Sequence, residues 1–99
     1  MLGSLQNTLS AVRAHTRGLL VSANNLANQQ TDDFEPSSTV YLSGAAGSVQ
    51  ASVASSGSHE VDIPTEMVNM ASSRRAIEAN LAVIRTSDKT LGVLLDIVG

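Results

Sequence analysis

The 99-residue sequence contains no cysteine and no tryptophan, and it has one tyrosine and one phenylalanine. Without cysteine the chain can form no disulfide framework, no thiol nucleophile and no thiolate zinc site. Tyr41 and Phe34 are too few to build a stacking platform for nucleic-acid bases. These absences exclude a disulfide-rich domain and a thiol enzyme, and they argue against a nucleic-acid-binding module.

Charge and histidine are also scarce. Six basic against nine acidic residues give a net charge of −3, and Arg74-Arg75 is the one pair of adjacent basic residues, so no basic face for nucleic acid is expected. His15 is interpreted as a solvated helix histidine. His59 lies near Glu60 and Asp62 but has no third ligand at metal-site spacing. We therefore expect no catalytic residue, no metal, no cofactor, no nucleic-acid partner and no small-molecule substrate.

The first segment, residues 1–28, is predicted to form an amphipathic helix. Its apolar residues recur in steps of three and four, which places them in one stripe on a helix. Thr16 fills the one gap in this stripe. Gly18 is expected to weaken the helix by up to about 1 kcal/mol. The stripe consists of Leu2, Leu5, Leu9, Val12, Leu19, Ala23 and Leu26.

The last segment, residues 62–99, is predicted to form a long coiled-coil helix. Asp62 is placed to cap it, and Pro64 and Glu66 suit its first turn. Arg74 and Asp88 occupy two positions of its apolar stripe; they are interpreted as edge residues, or alternatively as residues that set register. If Leu81 and Leu91 are buried between helices, replacing either by Ala should cost several kcal/mol. The stripe consists of Met67, Met70, Ile77, Leu81, Ile84, Leu91, Leu95 and Val98.

Between the helices, residues 29–61 form a connector rich in serine and glycine. Residues 39–42 and 49–53 alternate as strands do, and glycines lie between them. A lone hairpin is marginal in water, so both a short β-hairpin and a flexible loop stay open. The predicted fold is mainly α: two long antiparallel helices form a coiled-coil hairpin within one domain. The apolar surface exceeds what two helices can cover, which indicates a partner interface.

Both ends of the chain resemble bacterial flagellar axial proteins, the rod and hook proteins of the basal body. Residues 22–28 (SANNLAN), with Thr31 and Phe34, are similar to the N-terminal signature of the family. Residues 61–70 (VDIPTEMVNM) and 75–80 (RAIEAN) are similar to its C-terminal signature. Two departures stand out: Asp33 replaces a usual glycine, and Ile77 replaces a common aromatic residue. The middle is shorter than in hook and distal-rod proteins, which leaves the rod subtype open.

The resemblance implies a structural subunit of the basal-body rod that polymerises through its terminal helices. Its partners would be itself, other rod and hook axial proteins, and the flagellar type III export apparatus, which exports subunits without a cleaved signal peptide. A soluble adaptor or export-chaperone-like module is the alternative. The expected assembly interface comprises Leu5, Leu9, Val12, Leu19, Asn24, Asn25, Leu26, Asn28, Met67, Met70, Ile77, Asn80, Leu81, Ile84, Leu91, Leu95 and Val98.

Overall fold

Two helices and one β-hairpin make up the chain. The computed structural model describes residues 2–98; Met1, Gly99 and the side chain of Leu2, which the predicted segments include, lie outside the described residues. In chain order the elements are helix α1 (Leu2–Ala27), strands β1 (Ser37–Ser43) and β2 (Val49–Ser55), and helix α2 (Ile63–Val98). The structure confirms a mainly helical fold and, for the connector, the hairpin alternative.

The two helices run antiparallel and have unequal lengths. Asn25, near the end of α1, contacts Glu66 in the first turn of α2, and Gly18 lies close to Ser73 further along. Since α2 has 36 residues and α1 has 26, α2 extends about 15 Å beyond its partner at a rise of 1.5 Å per residue. The molecule is correspondingly elongated, at 62 × 24 × 15 Å.

Helix α2 begins where its sequence predicts. The Asp62 carboxylate accepts a hydrogen bond from the Thr65 backbone N–H at 3.1 Å, which satisfies one of the free donors of the first turn. Pro64 tolerates this position because a first-turn N–H has no intrahelical acceptor. The predicted cap is therefore confirmed.

The hairpin lies along α1 with one face turned inward. Its antiparallel register pairs Ser37 with Ser55 and Ser43 with Val49. The turn uses positive φ at Ala46 (57°) and Gly47 (85°). Alternation along the strands leaves one face open to solvent, including Val40, and turns the other towards α1.

The buried line of α1 differs from the predicted stripe. It consists of small and polar residues, and most of them lie one position before a residue of the predicted stripe. The leucines of the stripe lie beside this line rather than in it. One residue corresponds to a rotation of about 100° on a helix. Small residues occupy the line because they let the hairpin and α2 approach closely. The buried residues are Ala11, Ala14, Gly18, Ser22 and Asn25.

The inward row of α2 is also rotated from the prediction. Met70, Ile77 and Ile84 are partly buried as expected, but the second row of the stripe moves by one position, to residues 66, 73, 80 and 87. These are polar, so large apolar side chains do not interlock along the whole contact, and a coiled coil within the chain is not confirmed. Leu81 is 38% exposed and Leu91 44%, so neither is buried between helices.

Gly18 leaves room for the side chain of Tyr41, in addition to its effect on helix stability. A Cβ built at this position would overlap the hydroxyl of Tyr41 and lie 3.0 Å from its Cζ atom. Such contacts are closer than packed carbon atoms adopt. The Tyr41 ring end therefore occupies the space that a side chain at residue 18 would need.

We expect Gly18→Ala to destabilise the fold, because the clash with Tyr41 outweighs the helix-propensity gain of up to about 1 kcal/mol. The loss should shrink when Tyr41→Phe is present, since the hydroxyl is then absent. Gly92→Ala is the matched control. A Cβ built at this position in α2 meets no atom within 4 Å apart from the adjacent backbone of its own helix, so the substitution should stabilise the fold by up to about 1 kcal/mol. Urea unfolding followed by circular dichroism measures the stability of Gly18→Ala, Tyr41→Phe, the double variant and Gly92→Ala. Equal effects at Gly18 and Gly92 would show that Tyr41 does not press on α1.

Candidate assembly surface

Asn25 joins three elements of the fold. Its side chain is 1% exposed. The Asn25 Nδ2 atom donates to the Ser37 carbonyl oxygen at 2.7 Å and to Glu66 Oε1 at 3.1 Å. Its Oδ1 atom accepts from the Ser37 backbone N–H at 3.0 Å. One amide thus fixes the end of α1, the start of β1 and the first turn of α2, which we call the Asn25 clamp.

The other two asparagines of residues 24–28 act at the helix end. Asn28 donates to the Asn24 carbonyl oxygen at 2.9 Å and accepts from the Thr31 hydroxyl at 3.2 Å, whereas the Asn24 side chain is exposed. Asp33 adopts φ of 58°. This left-handed turn conformation explains why glycine suits the position, and Asp is one of the residues that tolerates it.

Two further polar residues of α1 hold the hairpin turn, and sequence reasoning missed both. Asn7 Nδ2 donates to the Ala46 carbonyl oxygen at 2.6 Å, and the Ser10 hydroxyl accepts from the Val49 backbone N–H at 3.0 Å. The sequence places both residues on a helix but does not indicate which backbone groups they bind. Hairpin register, which sequence alone left open, decides which backbone groups they meet.

The predicted interface residues fall into three groups by exposure. Asn25 is buried and belongs to the clamp. A second group is half-buried along the contacts between elements: Leu5, Val12, Leu19, Leu26, Asn28, Met70, Ile77, Asn80 and Ile84. The third group is exposed and therefore free for a partner: Leu9, Asn24, Met67, Leu81, Leu91, Leu95 and Val98.

The end of α2 is apolar and uncovered. Residues 88–98 are all exposed, with Leu95 at 63% and Val98 at 85%. Their apolar residues, including Val93, Leu94 and Ile97, point to every side of the helix because they are adjacent in sequence. A helix that is apolar all round is normally buried. We call residues 91–98 the apolar end.

The two charged residues of the predicted stripe lie outside the helix contact. Arg74 Nε donates to Glu78 Oε1 at 3.1 Å, and both side chains are largely exposed. Asp88 is exposed as well. Neither residue therefore contributes to the contact between the two helices of the chain.

A cleft lies between α1, β1 and α2. It encloses about 510 Å³ and is lined by hydroxyl groups, among them those of Ser22, Thr39 and Ser73. The interpretation of His15 as a solvated histidine is wrong: it is half-buried at this cleft, and its ring centroid lies 4.7 Å from that of Tyr41. Burial against an aromatic ring could not be read from helical spacing, because Tyr41 comes from the hairpin.

Comparison with known proteins gives one family match. Residues 58–97 match the model described as flagellar basal body rod FlgEFG protein, C-terminal. The match supports assignment to the flagellar rod and hook family. This family is a structural component of the flagellum and not an enzyme family. A search of curated proteins found no match.

The rod-family match coincides with α2. It begins four residues before the capping Asp62 and includes most of the apolar end, whereas α1 and the hairpin lie outside it. Most of the apolar end therefore lies in the part of the chain that the family model describes. Across residues 2–98, neither helix combines the length and hydropathy needed to cross a membrane.

We expect Asn25→Ala to destabilise the fold by about 1–3 kcal/mol, because it leaves the backbone groups of Ser37 and one oxygen of Glu66 without partners. Asn24→Ala is the matched control, since the adjacent side chain is exposed and should change stability by about 0.5 kcal/mol or less. Thermal unfolding followed by circular dichroism measures both. Similar losses for the two variants would contradict the Asn25 clamp.

Proposed function

We propose that the chain is a structural subunit of the flagellar basal-body rod and polymerises through its two terminal helices. The observation that carries the proposal is the rod-family match over residues 58–97, which falls on a helix with an uncovered apolar end. The partners are other copies of the chain and other rod and hook axial proteins. Delivery is through the flagellar type III export apparatus.

The distribution of side-chain size supports polymerisation. Inside the chain the helices meet through small and polar residues, while leucines of both helices stay exposed or half-buried. An apolar surface of this extent on a small protein usually marks an interface. The interior therefore uses little of the apolar surface that the sequence provides.

The predicted apolar stripe of α2 would pack between subunits rather than within the chain. Residues 67, 81, 91 and 95 are exposed, and they keep coiled-coil spacing with Met70, Ile77 and Ile84. Knobs-into-holes packing needs such a row to meet a facing helix. We propose that this helix belongs to a neighbouring subunit, so that the coiled coil forms on assembly.

We expect Leu95→Gln to leave the fold of the isolated chain intact but to prevent incorporation into rods. Leu95 is 63% exposed, and exposed substitutions usually change stability by about 0.5 kcal/mol or less. Ile84→Ala, at a half-buried inward position, should instead lower the stability of the isolated chain by about 1–2 kcal/mol. Asp96→Asn, one residue from Leu95, is the control for incorporation and should assemble normally. Assembly of Leu95→Gln at the normal level would refute a role for the apolar end.

Mass spectrometry of purified hook–basal bodies from the source bacterium tests the function directly. Several copies of the chain per basal body are expected if it is a rod subunit. Absence from intact basal bodies, together with presence in the soluble cytoplasm, would favour the adaptor or export-chaperone-like alternative. Stoichiometry is decisive because an adaptor does not enter the rod.

A further inference from the structure

The charges of the chain are segregated along its length. Between Gly18 and Ser73 the sequence has no Lys or Arg. The carboxylates of this stretch lie in the segments that end α1, lead into β1 and begin α2, and these segments meet at one end of the molecule through the Asn25 clamp, whereas the hairpin runs back along α1 to Asn7. We call the carboxylates of this stretch the acidic end: Asp32, Asp33, Glu35, Glu60, Asp62 and Glu66.

Three cations form a separate surface on α2. Arg75, Arg85 and Lys89 are exposed, and at 100° per residue they lie within about 80° of one another around the helix. The inward row, which includes Ile77 and Ile84, lies on the other side. We call these three residues the basic face.

Neither set of charges forms an ion pair within residues 2–98, and the basic face keeps a net positive charge although Glu78 and Asp96 lie in the same arc of α2. Among residues 2–98 the one ion pair is Arg74–Glu78, which includes no member of the acidic end or the basic face. At the acidic end, Glu66 Oε2 is also buried without a hydrogen-bond donor. Uncompensated like charges repel one another, and a surface of opposite charge relieves this repulsion.

We infer that the acidic end of one copy lies against the basic face of a second copy, parallel to the first and displaced along the long axis. The inference rests on the proposed function, because it assigns polarity and stagger to self-assembly. Arg75 lies about 18 Å and Lys89 about 39 Å along α2 from Ile63, at 1.5 Å per residue. The displacement between copies therefore lies between these two values.

The apolar end favours parallel over antiparallel copies. Residues 91–98 lie about 42–53 Å from Ile63. With the parallel displacement, residues 91–98 of the copy that supplies the basic face lie alongside the helices of the other copy, which covers the side of the apolar end that is continuous with the basic face. An antiparallel pair with the same charge contact places them beyond the start of the partner's α2, where they stay exposed. The parallel arrangement satisfies both charge and apolar burial.

This contact joins two different surfaces, so each added copy leaves a free acidic end and a free basic face. A contact of this type continues into an open chain when no rotation closes it. A closed dimer would require the antiparallel arrangement. The size distribution in solution therefore separates the two arrangements.

The test measures self-association of the purified chain by sedimentation velocity. The acidic variant carries Asp32→Asn, Asp33→Asn and Glu60→Gln, which are exposed positions, and Asn also tolerates the turn at residue 33. The basic variant carries Arg75→Gln, Arg85→Gln and Lys89→Gln. Each set should weaken the dissociation constant about tenfold, since three surface ion pairs are lost. Raising salt should weaken the wild-type chain in the same way.

The combined variant is the sharper measurement. If the two surfaces meet each other, neutralising both should weaken association no more than neutralising either one. Asp88→Asn with Asp96→Asn is the matched control, because it removes carboxylates outside the acidic end and should leave association unchanged or tighter. Circular dichroism verifies that every variant keeps its helices.

Three results would overturn the inference. These are additive losses in the combined variant, a closed dimer as the largest species, and a wild-type chain that stays monomeric at all concentrations. None of them decides the rod function, which incorporation into basal bodies tests separately. Conversely, charge-dependent open assembly by a chain absent from basal bodies would support this contact and refute the rod function.

Discussion

The rest of the structure depends on the buried amide of Asn25. A two-helix protein with small residues at its contact has little apolar burial to fix how its elements meet. Asn25 supplies the missing constraint, because its three hydrogen bonds reach β1 and α2 from a buried side chain. In a low-dielectric site such bonds are strong and a lost partner is costly. The clamp thus sets the antiparallel direction of the helices and the start of the hairpin.

The small residues of α1 have a consequence for the surface. Ala11, Ala14 and Gly18 allow close contact but bury little apolar area, so large side chains must lie elsewhere. The large apolar side chains occupy the flanks of α1 and the outer side of α2, and several of them are at least half exposed. A monomer gains little stability from such residues. Under the proposed function, a neighbouring subunit that covers these residues supplies this stability, which would couple the stability of the chain to polymerisation.

Sequence reasoning succeeded where local rules decide structure. The 3.6-residue period predicted both helices, and the cap at Asp62 and the first-turn position of Pro64 were correct. It failed at the inward rows, because it assigned the largest apolar residues to the contact. That rule holds when a chain buries its own apolar surface, and this chain leaves much of it exposed. Gly18, His15 and Ser10 were missed or misread because their partners belong to the hairpin, whose register depends on tertiary contacts.

Net charge conceals the electrostatic property that matters most in this chain. A value of −3 describes an ordinary, weakly acidic protein, yet the long helices convert sequence position into distance along an axis. Because no cation lies between Gly18 and Ser73, folding concentrates negative charge at one end instead of mixing it with positive charge. In a compact fold the same residues would average out within a Debye length of about 8–10 Å. In a molecule 62 Å long they cannot, so elongation itself gives the subunit two distinguishable ends.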